Sequence, residues 1–126
     1  MKINEIVTED VSGAELQQVE KFADALWGKV GIDIEFTRHF FDRINDNRNG
    51  KPISPAELIR LFKKAYQRYG KELGDADNIE AVMKDLMTQI NLPFVLKDIG
   101  NDEKQLVAKT VMRKKNFKTS NQIFNV

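Results

Sequence analysis

The chain has 126 residues, 41% of them hydrophobic, with 20 Lys and Arg against 19 Asp and Glu. That is enough for one domain with a sizeable core. The lack of cysteine excludes a disulfide scaffold, a thiolate nucleophile, an iron–sulfur cluster and Cys-ligated zinc, and a single histidine leaves two- and three-His metal sites without ligands. A net charge of +1 says nothing about partners, but the charge is segregated along the chain. Residues 1–33 carry net −4, residues 34–71 net +5, residues 72–103 net −6 and residues 104–126 net +6. If the two positive blocks meet in the fold they form a surface fit for a polyanion; if each faces an acidic block they are only neutralised.

Residues 1–13 are polar with scattered Ile and Val and read as a flexible N-terminal arm, broken off at Ser12 and Gly13. The start of the chain lacks the basic head and apolar run of a secretory signal, and no stretch reaches the ~20 apolar residues of a membrane span. The expected location is therefore a cytoplasm, or a virion assembled there, with no membrane partner. Leu16, Val19, Phe22, Ala23, Leu26 and Trp27 recur at helical spacing and predict a first helix over about 14–29, ended near Gly28 or Gly31. A second helix is expected over about 34–46, with Asp33 as its N-cap and Phe36, Phe40, Phe41 and Ile44 on one stripe. Residues 45–52 are loop chemistry throughout.

Ser54-Pro55-Ala56-Glu57 is the firmest start signal: a Ser N-cap, Pro at the first helical position and Glu at the third. The stripe Leu58, Leu61, Phe62, Ala65, Tyr66 and Tyr69 carries this third helix to about residue 71, with Gly70 and Gly74 as stops. Ile79, Val82, Met83, Leu86, Met87 and Ile90 repeat the spacing and predict a fourth helix over 78–90. After Pro93 the texture turns to short β-rich runs, giving strands over 94–99, 105–112 and 121–126, with a turn at 100–102. The expected fold class is α+β, a single domain over residues 14–126 with N-terminal helices packed on a small C-terminal antiparallel β-meander.

Two groups of residues could carry chemistry. On the second helix, His39 and Arg43 lie one turn apart on a border of the apolar stripe, where packing can anchor them beside a cleft. A histidine there can serve as general acid or base, and the arginine can hold a phosphate. The alternative is a boundary histidine satisfied by a carbonyl and an arginine paired with a carboxylate such as Asp42 or Asp46. Near the C-terminus, strand alternation sends Lys109, Val111 and Arg113 to one sheet face, with Lys114, Lys115 and Lys118 at its rim. With Phe117 available for stacking, such a face suits a single-stranded nucleic acid. The alternative is that these lysines only keep an exposed strand soluble. Asp42 with Asp46, and Asp75 with Asp77, are weak two-carboxylate pairs for Mg²⁺, and no cofactor is expected.

The order of these pieces resembles a known family. The pieces are His39-x-x-x-Arg43 on a helix, a polar loop with Arg48, Ile53-Ser54-x-x-Glu57-Leu58 at a helix start, and the run from Thr110 to Thr119. Together they are similar to phage-associated nuclease-like domains of the barnase/RelE-like superfamily of metal-independent ribonucleases. The resemblance covers about residues 34–126. It implies helices against an antiparallel sheet, and RNA cleavage by attack of the 2′-hydroxyl on the adjacent phosphate. It would make His39 the general acid or base and Arg43 a phosphate holder. Lys109 and Arg113 would stabilise the pentavalent phosphate, Thr110 or Thr119 would orient it, and Arg48, Lys114, Lys115, Phe117 and Lys118 would bind the nucleic acid. That superfamily's sheet usually has four or more strands, so a strand beyond the three counted here is expected within 1–11 or 88–93. The expected partner is RNA, with an inhibitor or a virion protein as further candidates. A domain of phage or toxin type, intact or degenerate, is one reading; a non-catalytic phage or bacterial binding module, or a virion structural module, is the other.

Overall fold

The computed structural model describes residues 11–126, so residues 1–10 of the expected arm lie outside the described residues. Helix α1 spans Gly13–Trp27 and opens with a capping box: Ser12 Oγ accepts from the Glu15 N–H at 3.1 Å, and the Glu15 carboxylate accepts from the Ser12 N–H at 3.0 Å. It buries Leu16, Val19, Ala23 and Trp27. A 3₁₀ turn (Gly28–Val30) ends at Gly31, whose φ of 76° lies in the left-handed region that glycine adopts without cost. There follow β1 (Ile32–Phe36), α2 (Arg38–Ile44), a 3₁₀ turn (Asn47–Asn49) and α3 (Pro55–Gly74). The strands β2 (Ile79–Asp85), β3 (Ile90–Gly100), β4 (Glu103–Ala108), β5 (Met112–Arg113) and β6 (Gln122–Asn125) complete the chain.

The fold is α+β, with helices leading and most strands trailing. The sheet runs β1-β4-β3-β2-β6, and the short β5 pairs with the start of β3. Its centre, β2-β3-β4, is antiparallel, but of the expected meander over 94–99, 105–112 and 121–126 only the β3-β4 hairpin is present: β6 joins β2 in parallel instead of following β4, and β1 joins β4 in parallel, so the sheet is mixed. Two expected helical stretches are strands. Residues 32–36 alternate buried and exposed and form β1, so Asp33 lies within a strand and Thr37 caps α2, its Oγ1 accepting from the Phe40 N–H at 3.0 Å. Residues 79–85 form β2, leaving Leu86 and Met87 exposed at a hairpin tip. These two strands supply what the strand count lacked; no strand begins within 88–93 other than β3 itself, and residues 1–10 lie outside the description.

One sheet face is covered by the helices. Ala81, Met83, Leu92, Phe94, Leu96, Leu106 and Ala108 meet Phe40, Leu58, Leu61, Phe62 and Ala65 in one buried cluster. Each large apolar side chain buried this way stabilises the fold by roughly 1.5–3 kcal/mol. The outer edge of β1 is closed by α1: Asp24 Oδ1 accepts from the Ile34 N–H at 2.9 Å, and Glu20 Oε2 accepts from the Phe36 N–H at 2.7 Å. These carboxylates satisfy backbone donors that an open edge would offer to another strand. The arrangement brings Asp24 against Asp33. Their hydrogen bond, then burial and the Asp24 charge, push the Asp33 carboxyl up to about 6.

Candidate functional site

At the end of the sheet where β1 and β4 finish, α2 and the segment after β4 enclose a cleft of about 460 Å³. Thr37 fixes α2 against the segment after β4: as N-cap it starts the helix, and its hydroxyl donates to the Lys109 carbonyl at 2.8 Å. Asn49, almost fully buried, sets the floor of the cleft. Its Nδ2 donates to the Arg43 carbonyl at 2.9 Å, closing the C-terminal end of α2, while its Oδ1 accepts from the Arg113 N–H at 3.0 Å. One side chain thus fixes the helix end and the strand segment at a set separation.

His39, Arg43, Arg48, Thr110, Arg113 and Lys114 all line this cleft. His39 and Arg43 lie side by side on α2, and Arg43 Nε donates to His39 Nε2 at 3.2 Å. In this arrangement the ring's hydrogen sits on Nδ1, and the Nε2 lone pair faces the guanidinium. Arg43 also reaches Asp46 at 3.2 Å, so it has one of the carboxylate partners that the alternative reading named. The same carboxylate receives Arg48 at 2.8 Å. Two guanidinium groups therefore share one carboxylate, and with Lys114 at the rim the cleft keeps an excess of positive charge.

Exposure decides which cations a ligand can recruit. The Arg48 side chain is 72% exposed, and an exposed ion pair is worth only about 0–1 kcal/mol, so an incoming phosphate can take it from Asp46. Arg113 is the opposite case, with its side chain 8% exposed. Its guanidinium donates to both Glu57 carboxylate oxygens, at 2.8 and 3.1 Å, to the Pro52 carbonyl at 2.8 Å and to the Thr88 carbonyl at 2.9 Å. Burial alone would raise the Glu57 carboxyl, but the Arg113 hydrogen bonds, the Ser54 N–H and the Arg113 charge outweigh it and hold Glu57 at about 2. Arg113 is consumed as a clamp between the α3 start, the preceding loop and the β2–β3 hairpin.

Other residues expected at the site lie elsewhere. Lys109 and Arg113 do not share a face, because β4 ends at Ala108 and Val111 turns into the core between them. The Lys109 ammonium pairs with Glu80 on the sheet face away from the helices and does not line the cleft. Thr119 Oγ1 accepts from the Asn121 N–H at 3.1 Å in a local turn. Lys115 and Lys118 are exposed and Phe117 is half-buried, all outside the cleft lining. Thr110 is the hydroxyl that remains inside it. Among the described residues no three His, Asp or Glu side chains gather as a metal site, and no helix is long and apolar enough to cross a membrane.

The sequence reading missed the roles that three residues play around the cleft. Thr37 follows the strict alternation Ile32-Asp33-Ile34-Glu35-Phe36, a strand signal whose end marks it as the next N-cap. Asp46 was weighed as a metal or pairing carboxylate but not as the hub of two arginines. Asn49 carried no signal beyond lying in a polar loop. Comparison of the chain with family models, with curated proteins and with solved structures gives no match.

Proposed function

We propose that the cleft binds RNA and that the chain is a metal-independent ribonuclease-like domain in the manner of the barnase/RelE-like superfamily. The observation that carries this reading is the seating of the only histidine, with Nε2 against Arg43, in a cleft that also holds Arg48, Thr110 and Lys114. The volume of about 460 Å³ accommodates a nucleotide-sized group. The sheet has six strands, where that superfamily usually has four or more, but two of its pairings are parallel, where the resemblance implies an antiparallel sheet.

In the proposed reaction, the scissile phosphate draws Arg43 and Arg48 away from Asp46 and His39 onto its non-bridging oxygens. Released from Arg43, His39 Nε2 takes the proton of the 2′-hydroxyl as that oxygen attacks phosphorus. The P–O5′ bond breaks, the 5′ oxygen takes a proton from water at the cleft mouth, the hydroxide so formed takes the proton held on His39 Nε2, and a 2′,3′-cyclic phosphate remains. Thr110 offers its hydroxyl to the phosphate, and Lys114 adds charge at the rim. Arg113 and Lys109 have no direct part.

The second reading, a non-catalytic nucleic-acid binding module, is favoured by the pairing of Asp46, the carboxylate in the cleft, with both Arg43 and Arg48, which holds it as a counter-charge and not as a proton-transfer group. The two separate on one experiment: a fluorescent RNA in EDTA with the wild-type chain and His39→Ala. Cleavage by the first alone, leaving cyclic ends, supports the ribonuclease. Salt-sensitive binding without cleavage by either supports the binding module, and neither cleavage nor binding removes both.

A further inference from the structure

A second groove lies beside the cleft, on the other side of Lys114. It has a volume of about 140 Å³ and is lined by Lys84, Leu86, Gln89, Lys114, Lys115 and Asn116. Lys114 lines both spaces. Three of its six lining residues are lysines and none is acidic, so it lacks the carboxylate that partly neutralises the cleft. None of the three lysines is in an ion pair among the described residues.

The groove is shaped by its backbone. Gln89 and Asn116 both adopt left-handed conformations, with φ of 63° and 60°. They face each other across a junction in which the Lys114 N–H donates to the Gln89 carbonyl at 2.9 Å. Asn91, buried beneath, donates from Nδ2 to the Gln89 carbonyl at 3.2 Å and to the Lys114 carbonyl at 3.0 Å. Left-handed backbone at a residue other than glycine is unfavourable and persists where surrounding contacts fix it. Here the contacts hold Lys114 between the two spaces and leave the lysine head groups unspent.

We propose that this groove is a phosphate subsite for the nucleotide flanking the one in the cleft, so that the single strand passes over Lys114 from one space to the other. Lys84 and Lys115 neutralise the flanking phosphate, and the exposed Leu86 gives an apolar surface to the sugar or base. The inference rests on the RNA reading of the cleft and adds that the substrate is a single strand longer than a dinucleotide. A duplex end would present its second strand to the Leu86-Met87 hairpin tip.

The test is binding of 2′-O-methyl oligouridylates of two and six nucleotides, which cannot be cleaved through the 2′ position, to the full chain in EDTA. The wild-type chain is compared with Lys84→Ala/Lys115→Ala and with Lys29→Ala/Lys97→Ala, a charge-matched control at the opposite end of the sheet. The hexamer is expected to bind the wild type at least about tenfold tighter than the dinucleotide. The groove variant is expected to lose most of that gain, and its salt slope to fall by about 0.7, the value for one phosphate of a single strand, with dinucleotide binding unchanged. The control is expected to keep the gain. If the groove variant keeps the hexamer gain, or loses no more than the control, the subsite is refuted while the cleft stands. If neither oligomer binds the wild type, the RNA reading itself falls and the subsite with it.

Discussion

Arg48 and Arg113 carry the same charge on the same cleft, and burial gives them opposite roles. Arg113→Ala strips the two guanidinium hydrogen bonds from a Glu57 that is only 21% exposed, leaving the carboxylate its Ser54 contacts but no counter-charge. Its expected cost is about 3 kcal/mol in urea denaturation, against less than about 0.5 kcal/mol for Arg48→Ala. A loss from Arg113→Ala no larger than that from Arg48→Ala would contradict the clamp. The pair also sets an acid limit. Glu57 is held at about 2 against an ordinary 4.5, so its contribution is fully present above about 4.5 and is lost as pH falls through about 2. Asp33 works in the other direction. Its carboxyl is raised from 3.8 to about 6, so the folded chain keeps a proton that the unfolded chain releases, and stability falls as pH rises from about 4 to about 6. Asp33 is exposed, so water screens the effect, and Asp33→Asn is expected to gain less than about 1 kcal/mol at pH 7 and nothing at pH 3. Thermal unfolding at the two pH values measures it; a gain of the same size at both would show that the proton is not involved. The sequence disclosed which of these side chains are charged, but not which are spent. Nothing in the run Met112-Arg113-Lys114 distinguishes the buried guanidinium from its exposed neighbour until Glu57, Pro52 and Thr88 have been folded around it.

Among the elements, the start of α3 was the most legible, because a capping box is a local device. Ser54 to Glu57 could be read directly, and Ser12-Gly13-Ala14-Glu15 spells the same pattern. The strands were harder. Ile32 to Phe36 alternates with period two but runs into the Phe40 and Ile44 spacing of α2, and the combined stripe mimics a longer helix. In β2, Ile79, Val82, Met83 and Leu86 fall at helical spacing, yet pairing with β3 on one side and β6 on the other makes the segment a central strand. The β6 partner lies far along the chain and leaves no mark in a short window. The edge of β1 tests the element-level account. Asp24→Ala with Glu20→Ala removes the acceptors for the Ile34 and Phe36 N–H groups. Leaving two backbone donors without partners is expected to cost about 2 kcal/mol and to speed hydrogen exchange at those two amides at least tenfold. Unchanged exchange there would mean that α1 does not guard the edge.

For the whole molecule, the segregated charge blocks meet partly as a polyanion surface requires. Arg43 and Arg48 from the first positive block and Lys114 from the second converge on one cleft, whereas Lys109 is neutralised by Glu80 from an acidic block. Proximity of His39 and Arg43 was legible from their spacing of four; their convergence with Thr110 and Lys114 was not, since it depends on the chain leaving β4 at Ala108 and on Asn49 bridging α2 to Arg113. Lys109→Ala, which lies outside the cleft, is expected to leave cleavage of RNA within about twofold of the wild type, and a hundredfold loss would return Lys109 to the site. The most direct test of the central claim is the rate of cleavage of a fluorescent RNA in EDTA by the wild-type chain and by His39→Ala. The account predicts cleavage with 2′,3′-cyclic ends by the wild type and a loss of at least about a hundredfold in the variant, the usual contribution of general base catalysis. Equal cleavage by both would contradict the role given to His39, and no cleavage by the wild type would contradict the reaction.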